Sequence, residues 1–231
     1  MNKSKIFSII VLVVVVLGAI WYFMFYGKKI TTPPVVVEKV ATVNGVDISK
    51  TFYDTELAST ISSSKAQGVD VTNADELAKI KTQVLDALIN NELISQGIAS
   101  AGIKTTDAEV ETRVQDIIKQ VGGTTQFQTE LTNANLTEAQ LRDSISKQLA
   151  IQKYLAANID VTGITASDAE ISLFYTEYSK AQTTASSTIK VPALKDLKTQ
   201  IEQQIITNKQ QVLVNNFITS LRDKAKIEKF I

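Results

Sequence analysis

Residues Ile6–Tyr26 read IFSIIVLVVVVLGAIWYFMFY, an unbroken run without one charged side chain, bracketed by Lys3 and Lys5 before it and Lys28 and Lys29 after it. A helix of that length reaches about 31 Å, close to the hydrocarbon thickness of a bilayer. Backbone groups in lipid have no water to bond, so a single spanning segment must be helical. The run therefore predicts a transmembrane anchor within residues 1–29. Trp21, Tyr22, Phe23, Phe25 and Tyr26 crowd its second end, where an interfacial aromatic belt sits. A cleaved signal peptide is the competing reading, but its apolar core is about 7–15 residues long and is followed by small residues at the cut. The positive charges on the two flanks nearly balance, and the free α-amino group tips the amino terminus inward. That orientation predicts a single-pass protein of the cytoplasmic (inner) membrane whose bulk is extracytoplasmic, in the periplasm.

Four lysines and no acid lie in the first 29 residues of a chain that holds 24 basic and 24 acidic side chains, so the remainder is mildly acidic. Such a body argues against a nucleic-acid partner, which selects a basic face. The chain has no histidine and no cysteine. This excludes Ser–His–Asp and Cys–His nucleophilic sites, zinc sites built on those ligands, and disulfides. No catalytic residue, cofactor or metal site is expected. Asp107, Glu109 and Glu111 lie at a helix start, where the helix dipole accounts for acidic side chains without a metal.

Beyond the anchor, residues 30–39 form a linker in which Pro33–Pro34 favours an extended spacer. Two short apolar runs around Asn44–Gly45 predict a β-hairpin, because a type I′ turn requires positive φ at both central positions. From Ser49 onward the chain is helical in pattern. Ser49 caps a helix carrying Phe52, Tyr53, Leu57 and Ile61. Asn73/Glu76, Thr106/Glu109, Thr125/Gln128, Thr137/Gln140 and Ser167/Glu170 each have capping-box spacing, and each precedes an apolar stripe at three- and four-residue intervals. Gly102 and Gly122–Gly123 are predicted stops. Residues 181–191 (AQTTASSTIKV) are polar and unpatterned and read as a loop. Pro192 suits the first position of a helix of more than thirty residues ending near Ala225, whose apolar stripe is interrupted at Thr207–Gln211. The fold class expected is mainly α: a multi-helix body with a long C-terminal helix and a small antiparallel β element.

Four stretches in order resemble the SurA/PrsA/PpiD-type extracytoplasmic chaperones: Val40–Ser49 (VATVNGVDIS), Val84–Ile94 (VLDALINNELI), Ile164–Tyr178 (ITASDAEISLFYTEY) and Leu197–Glu228. The resemblance implies a SurA N-like helical chaperone domain over residues 40–180, with residues 192–231 forming a long helix and a strand that packs back on it. It also implies pairing between the Val40–Val43 strand and Lys226–Phe230. Family members commonly carry a parvulin prolyl-isomerase domain where this chain has residues 181–191. Eleven residues cannot form a domain, and parvulin sites rely on histidine, so no isomerase activity is expected. The resemblance implies an ATP-independent holdase whose partners are unfolded polypeptide clients, with the membrane and the translocon beside it. A scaffold binding one folded envelope or translocon partner is the alternative. Phe127, Phe174, Tyr175, Tyr178 and Phe217 are the candidate client contacts, and packing between helices is the competing role for each.

Overall fold

A computed structural model describes residues 38–185 and 191–231. The Ile6–Tyr26 anchor, most of the 30–39 linker and residues 186–190 lie outside the described residues. Among those described, no helix is long and apolar enough to cross a membrane.

The Asn44–Gly45 pair makes the expected turn, with φ of 52° and 86°. It joins β1 (Lys39–Val43) to β2 (Val46–Ser49) in antiparallel register, Val43 opposite Val46. The chain's last strand, β3 (Ile227–Lys229), pairs antiparallel on the other side of β1, giving the order β2–β1–β3. Val40, Ala41 and Val43 on the central strand are fully buried. The Asn44 side chain closes the sheet at one end: its Oδ1 accepts from the Lys226 amide at 2.8 Å and its Nδ2 donates to Gln96 Oε1 at 2.8 Å.

Among the described residues seven helices follow the hairpin: α1 (Lys50–Ala66), α2 (Ala74–Ser100), α3 (Asp107–Val121), α4 (Thr124–Asn133), α5 (Glu138–Asn158), α6 (Asp168–Ala185) and α7 (Leu194–Lys224). Their starts follow the sequence with three exceptions. Asn73 caps α2 by accepting from the Asp75 and Glu76 amides, but the Glu76 carboxylate turns outward to Lys79 at 2.7 Å, so that box is only half made. Helix α4 begins at Thr124 behind Gly123, with no side-chain cap, and Thr125 lies inside its first turn. Gly122 and Gly123, both at φ above 100°, stop α3 and allow an immediate restart, so Gly123 takes the cap position and Thr125 falls inside the helix. Pro192 precedes α7 instead of opening it, its carbonyl accepting the Tyr175 hydroxyl at 2.9 Å. Helix α6 also runs to Ala185, so residues 181–185 of the expected loop are helical.

The described chain folds as two compact units, the first taking in residues up to Tyr154 together with Arg222–Ile231, the second Leu155–Leu221. In the first, α1 and α2 pack on the sheet through Tyr53, Val84, Leu85, Leu88 and Ile89. Beside them, Val110, Val114 and Ile117 of α3 meet Phe127 and Leu131 of α4 and Leu141 and Ile145 of α5. The second unit has a far smaller core: Ile171 of α6 with Ile201 and Ile205 of α7, flanked by half-buried Phe174, Tyr175, Leu194 and Leu197.

Candidate functional site

A unit with so few buried side chains leaves apolar surface in water, and here it gathers along α6 and α7. Leu173 is 65% exposed and Val212 is 55% exposed. Together with Phe174 and Leu213 they line an open groove of about 820 Å³. Isolated exposed apolar residues are ordinary, but contiguous ones in a concavity mark a binding surface. A smaller hollow of about 450 Å³ lies in the first unit among Val40, Tyr53, Leu57, Leu85 and Ile231, edged by Lys50 and Lys81.

One wall of the larger groove is held by an ion pair. Ser167 and Glu170 make a reciprocal capping box at the start of α6, the Glu170 carboxylate accepting from the Ser167 amide at 2.8 Å. Lys209 of α7 reaches across, its Nζ 2.7 Å from Glu170 Oε1 and 2.8 Å from the Thr165 carbonyl oxygen. The Lys209 ammonium, helped by the Ser167 amide and hydroxyl, holds the Glu170 carboxyl down to about 2. Lysine thus ties the first turn of one helix to the middle of the next.

The first unit contains the same device. Thr106 and Glu109 box the start of α3, and Lys153 of α5 donates to the Glu109 carboxylate at 2.7 Å and to the Lys104 carbonyl at 2.9 Å. The Glu109 carboxyl is likewise held down to about 2, by Lys153 first and by the Thr106 amide next. The local sequences explain the likeness: Gly102–Val110 reads GIKTTDAEV and Gly163–Ile171 reads GITASDAEI. Both glycines sit at positive φ, 63° and 75°. Registered on the two lysines, Leu141, Ile145 and Leu149 of α5 correspond to Leu197, Ile201 and Ile205 of α7, and both sets face their cores. Sequence reasoning matched the capping boxes one by one and missed this repeat, whose signal was the recurring nine-residue string.

The aromatic candidates scatter. Phe127 is 3% exposed and seals the α3–α4–α5 core, so it offers nothing to a ligand. Its place on a short helix between two longer ones makes it a plug. Phe174 and Tyr175 pack together on the small second core, and of the five only Phe174 lines the groove. Tyr178 and Phe217 are half-buried on α6 and α7. The residues that most define the groove, Leu173, Val212 and Leu213, are aliphatic and were not singled out from the sequence. The acidic side chains at the start of α3 have cations as partners, Glu109 with Lys153 and Glu111 with Arg142 at 2.7 Å. Among the described residues no group of three or more acids could hold a metal ion.

Comparison with known proteins agrees with this architecture. Chaperone SurA of Hydrogenovibrio crunogenus (strain DSM 25203 / XCL-2) is 35% identical over 107 residues, 46% of this chain and 20% of that protein, so the chain spans about a fifth of that relative's length. A solved chain from the work on the virulence factor PEB4 and the periplasmic protein Cj1289, two structurally related SurA-like chaperones of Campylobacter jejuni, superposes with a TM-score of 0.52. The match has 15% identity and covers 83% of this chain and 98% of that one. At that identity the likeness is one of fold. Residues 1–155 match the SurA-like N-terminal domain family. With two thirds of its length inside that match, the chain belongs to the SurA-like N-terminal domain family.

Proposed function

We propose that the protein is a membrane-anchored, ATP-independent extracytoplasmic chaperone that holds unfolded secreted or envelope polypeptides. The observation that carries the reading is the apolar groove along α6 and α7, on a unit whose hydrophobic cluster among the described residues is small, built on buried Ile171, Ile201 and Ile205. Unfolded chains expose apolar side chains of no fixed sequence, and a surface of flexible aliphatic groups rimmed by polar ones accepts many of them. The relatives named above are chaperones, which supports the same assignment here. The Ile6–Tyr26 run would hold this body at the outer face of the inner membrane, near the translocon, raising its effective concentration where unfolded chains emerge.

The test uses the 231-residue chain in detergent or nanodiscs. It is expected to delay aggregation of several unrelated unfolded proteins without ATP. If it protects none of them, or if pull-downs return one folded partner and nothing else, the holdase reading gives way to an anchored scaffold. Recovery in the membrane fraction after alkaline extraction, lost when Leu12–Val16 is interrupted by two aspartates, checks the anchor. A proline-containing peptide should isomerise at its uncatalysed rate in the presence of the protein, because the chain has no histidine and only eleven residues where relatives place a parvulin domain. Measurable acceleration would reverse that assignment.

A further inference from the structure

The first copy of the latch, Thr106–Glu109 with Lys153, is an internal control for the second. Counting from Glu109 and Glu170, the groove residues Leu173 and Phe174 of α6 correspond to Thr112 and Arg113 of α3. Counting from Lys153 and Lys209, Val212 and Leu213 of α7 correspond to Ala156 and Ala157 of α5. Thr112, Ala156 and Ala157 are exposed. A helix pair closed by this latch thus forms with polar or small side chains at those positions, and folding does not require apolar ones there. In the second copy the same positions carry Leu, Phe, Val and Leu, with Leu173 and Val212 more than half exposed. Among the described residues nothing covers Leu173 and Val212, which leaves them open to a ligand.

The charged residues of the groove say what that is. Three of them line it: Glu170, Glu177 and Lys209. Lys209 is spent on Glu170 and on the Thr165 carbonyl. Glu177 lies at the rim and pairs with the Lys180 ammonium at 3.1 Å, both side chains more than 60% exposed. So exposed a pair is weak and exchanges readily. The lining is therefore apolar with one carboxylate, Glu177, held only by a solvent-exposed and exchangeable ion pair.

We infer that the groove between α6 and α7 is the seat of an extended polypeptide segment in which aliphatic or aromatic side chains lie next to a lysine or arginine. The apolar side chains cover Leu173, Phe174, Val212 and Leu213, and the basic residue takes the place of Lys180 at Glu177. The inference rests on the holdase reading and narrows its substrate to apolar segments with a basic flank.

Fluorescent twelve-residue peptides with one leucine- and phenylalanine-rich centre, flanked by lysines or by glutamates, are titrated onto the 231-residue chain in nanodiscs. The lysine-flanked peptide is expected to bind about threefold tighter at low salt, a margin of the size exposed charge pairs give, and the margin should shrink in high salt. Glu177→Lys should reverse the order. The combined replacement Leu173→Thr, Val212→Ala and Leu213→Ala installs the residues that the first copy of the latch already carries. Since the first copy of the latch is formed with those residues, the variant should keep the helical circular dichroism and melting temperature while weakening the lysine-flanked peptide about tenfold. A folded triple variant that binds as tightly as the parent overturns the seat, and equal affinity for the two peptides overturns the charge assignment. Self-association by light scattering that the triple variant abolishes, with no peptide bound, assigns the groove to a second copy of the chain and overturns the proposal. Loss of aggregation suppression in the unmodified protein would sink the holdase reading itself. Suppression retained equally in parent and triple variant sinks only the groove.

Discussion

Asn44 shows how much one turn residue is asked to do. It adopts positive φ, its amide donates to the Lys226 carbonyl at 2.8 Å, and its side chain accepts from the Lys226 amide while donating to Gln96. Asn44→Ala would lose both side-chain bonds and strain the turn, so we expect about 2 kcal/mol of destabilisation in urea titration. Gly97 makes an opposite demand, for space. It lies inside α2, where glycine is unfavourable, but a Cβ there would collide with the ring and hydroxyl of buried Tyr154. Gly97→Ala should therefore destabilise by about 1–3 kcal/mol despite its better helix propensity, read as a lowered melting temperature. If the substitution instead stabilises, the close packing of α2 on Tyr154 is wrong.

At the scale of elements, the two lysine latches fix where α3 and α6 begin relative to the helices that follow them. Both latch carboxylates have folded pKa values near 2 against an ordinary 4.5. A carboxyl depressed on folding binds fewer protons folded than unfolded, so its contribution is complete above about pH 4.5 and fades as the pH falls towards 2. Unfolding midpoints should drop through that window, and the double change Glu109→Gln with Glu170→Gln should flatten the decline while lowering stability at neutral pH. Both carboxylates are open to solvent, which screens the effect, so the direction is the prediction. An acid limb unchanged in the double variant would mean that the latches carry no pH dependence. Helix α7 is uneven along its length: Ile201 and Ile205 are its only fully buried residues, while Val212, one turn past the latch, is mostly exposed. That unevenness is what leaves a groove beside it.

At the scale of the molecule, residues far apart in sequence complete the first unit. Arg222, at the end of α7, donates to Asp86 at 3.0 Å and to Asn90 at 2.8 Å, and Lys229 of β3 adds a 2.9 Å contact to Asp86. Partial burial would raise the Asp86 carboxyl, but Lys229 and Arg222 outweigh it and hold it below the usual range. Removing residues 225–231 should strip β1 of one neighbour and expose Val40 and Val43, read as faster hydrogen exchange in β1 with α6 unaffected. Uniform protection after truncation would contradict the pairing. Much of this was legible beforehand. The Asn-Gly turn, four of the helix starts and the glycine stops are local, set by φ preferences and by orphan amides that a neighbouring side chain must satisfy. Periodicity likewise marked the helices, because apolar residues at three- and four-residue spacing share one face only when the backbone is helical. What periodicity could not tell was whether a stripe faces a core or water, since both look identical along the chain. Phe127 and Leu173 were equally apolar in sequence; one is a plug between helices and the other a wall of a groove. That difference was decided by tertiary structure alone, because burial depends on which helix arrives opposite: α4 packs against the first copy of the repeat, and among the described residues no helix lies between α6 and α7 in the second.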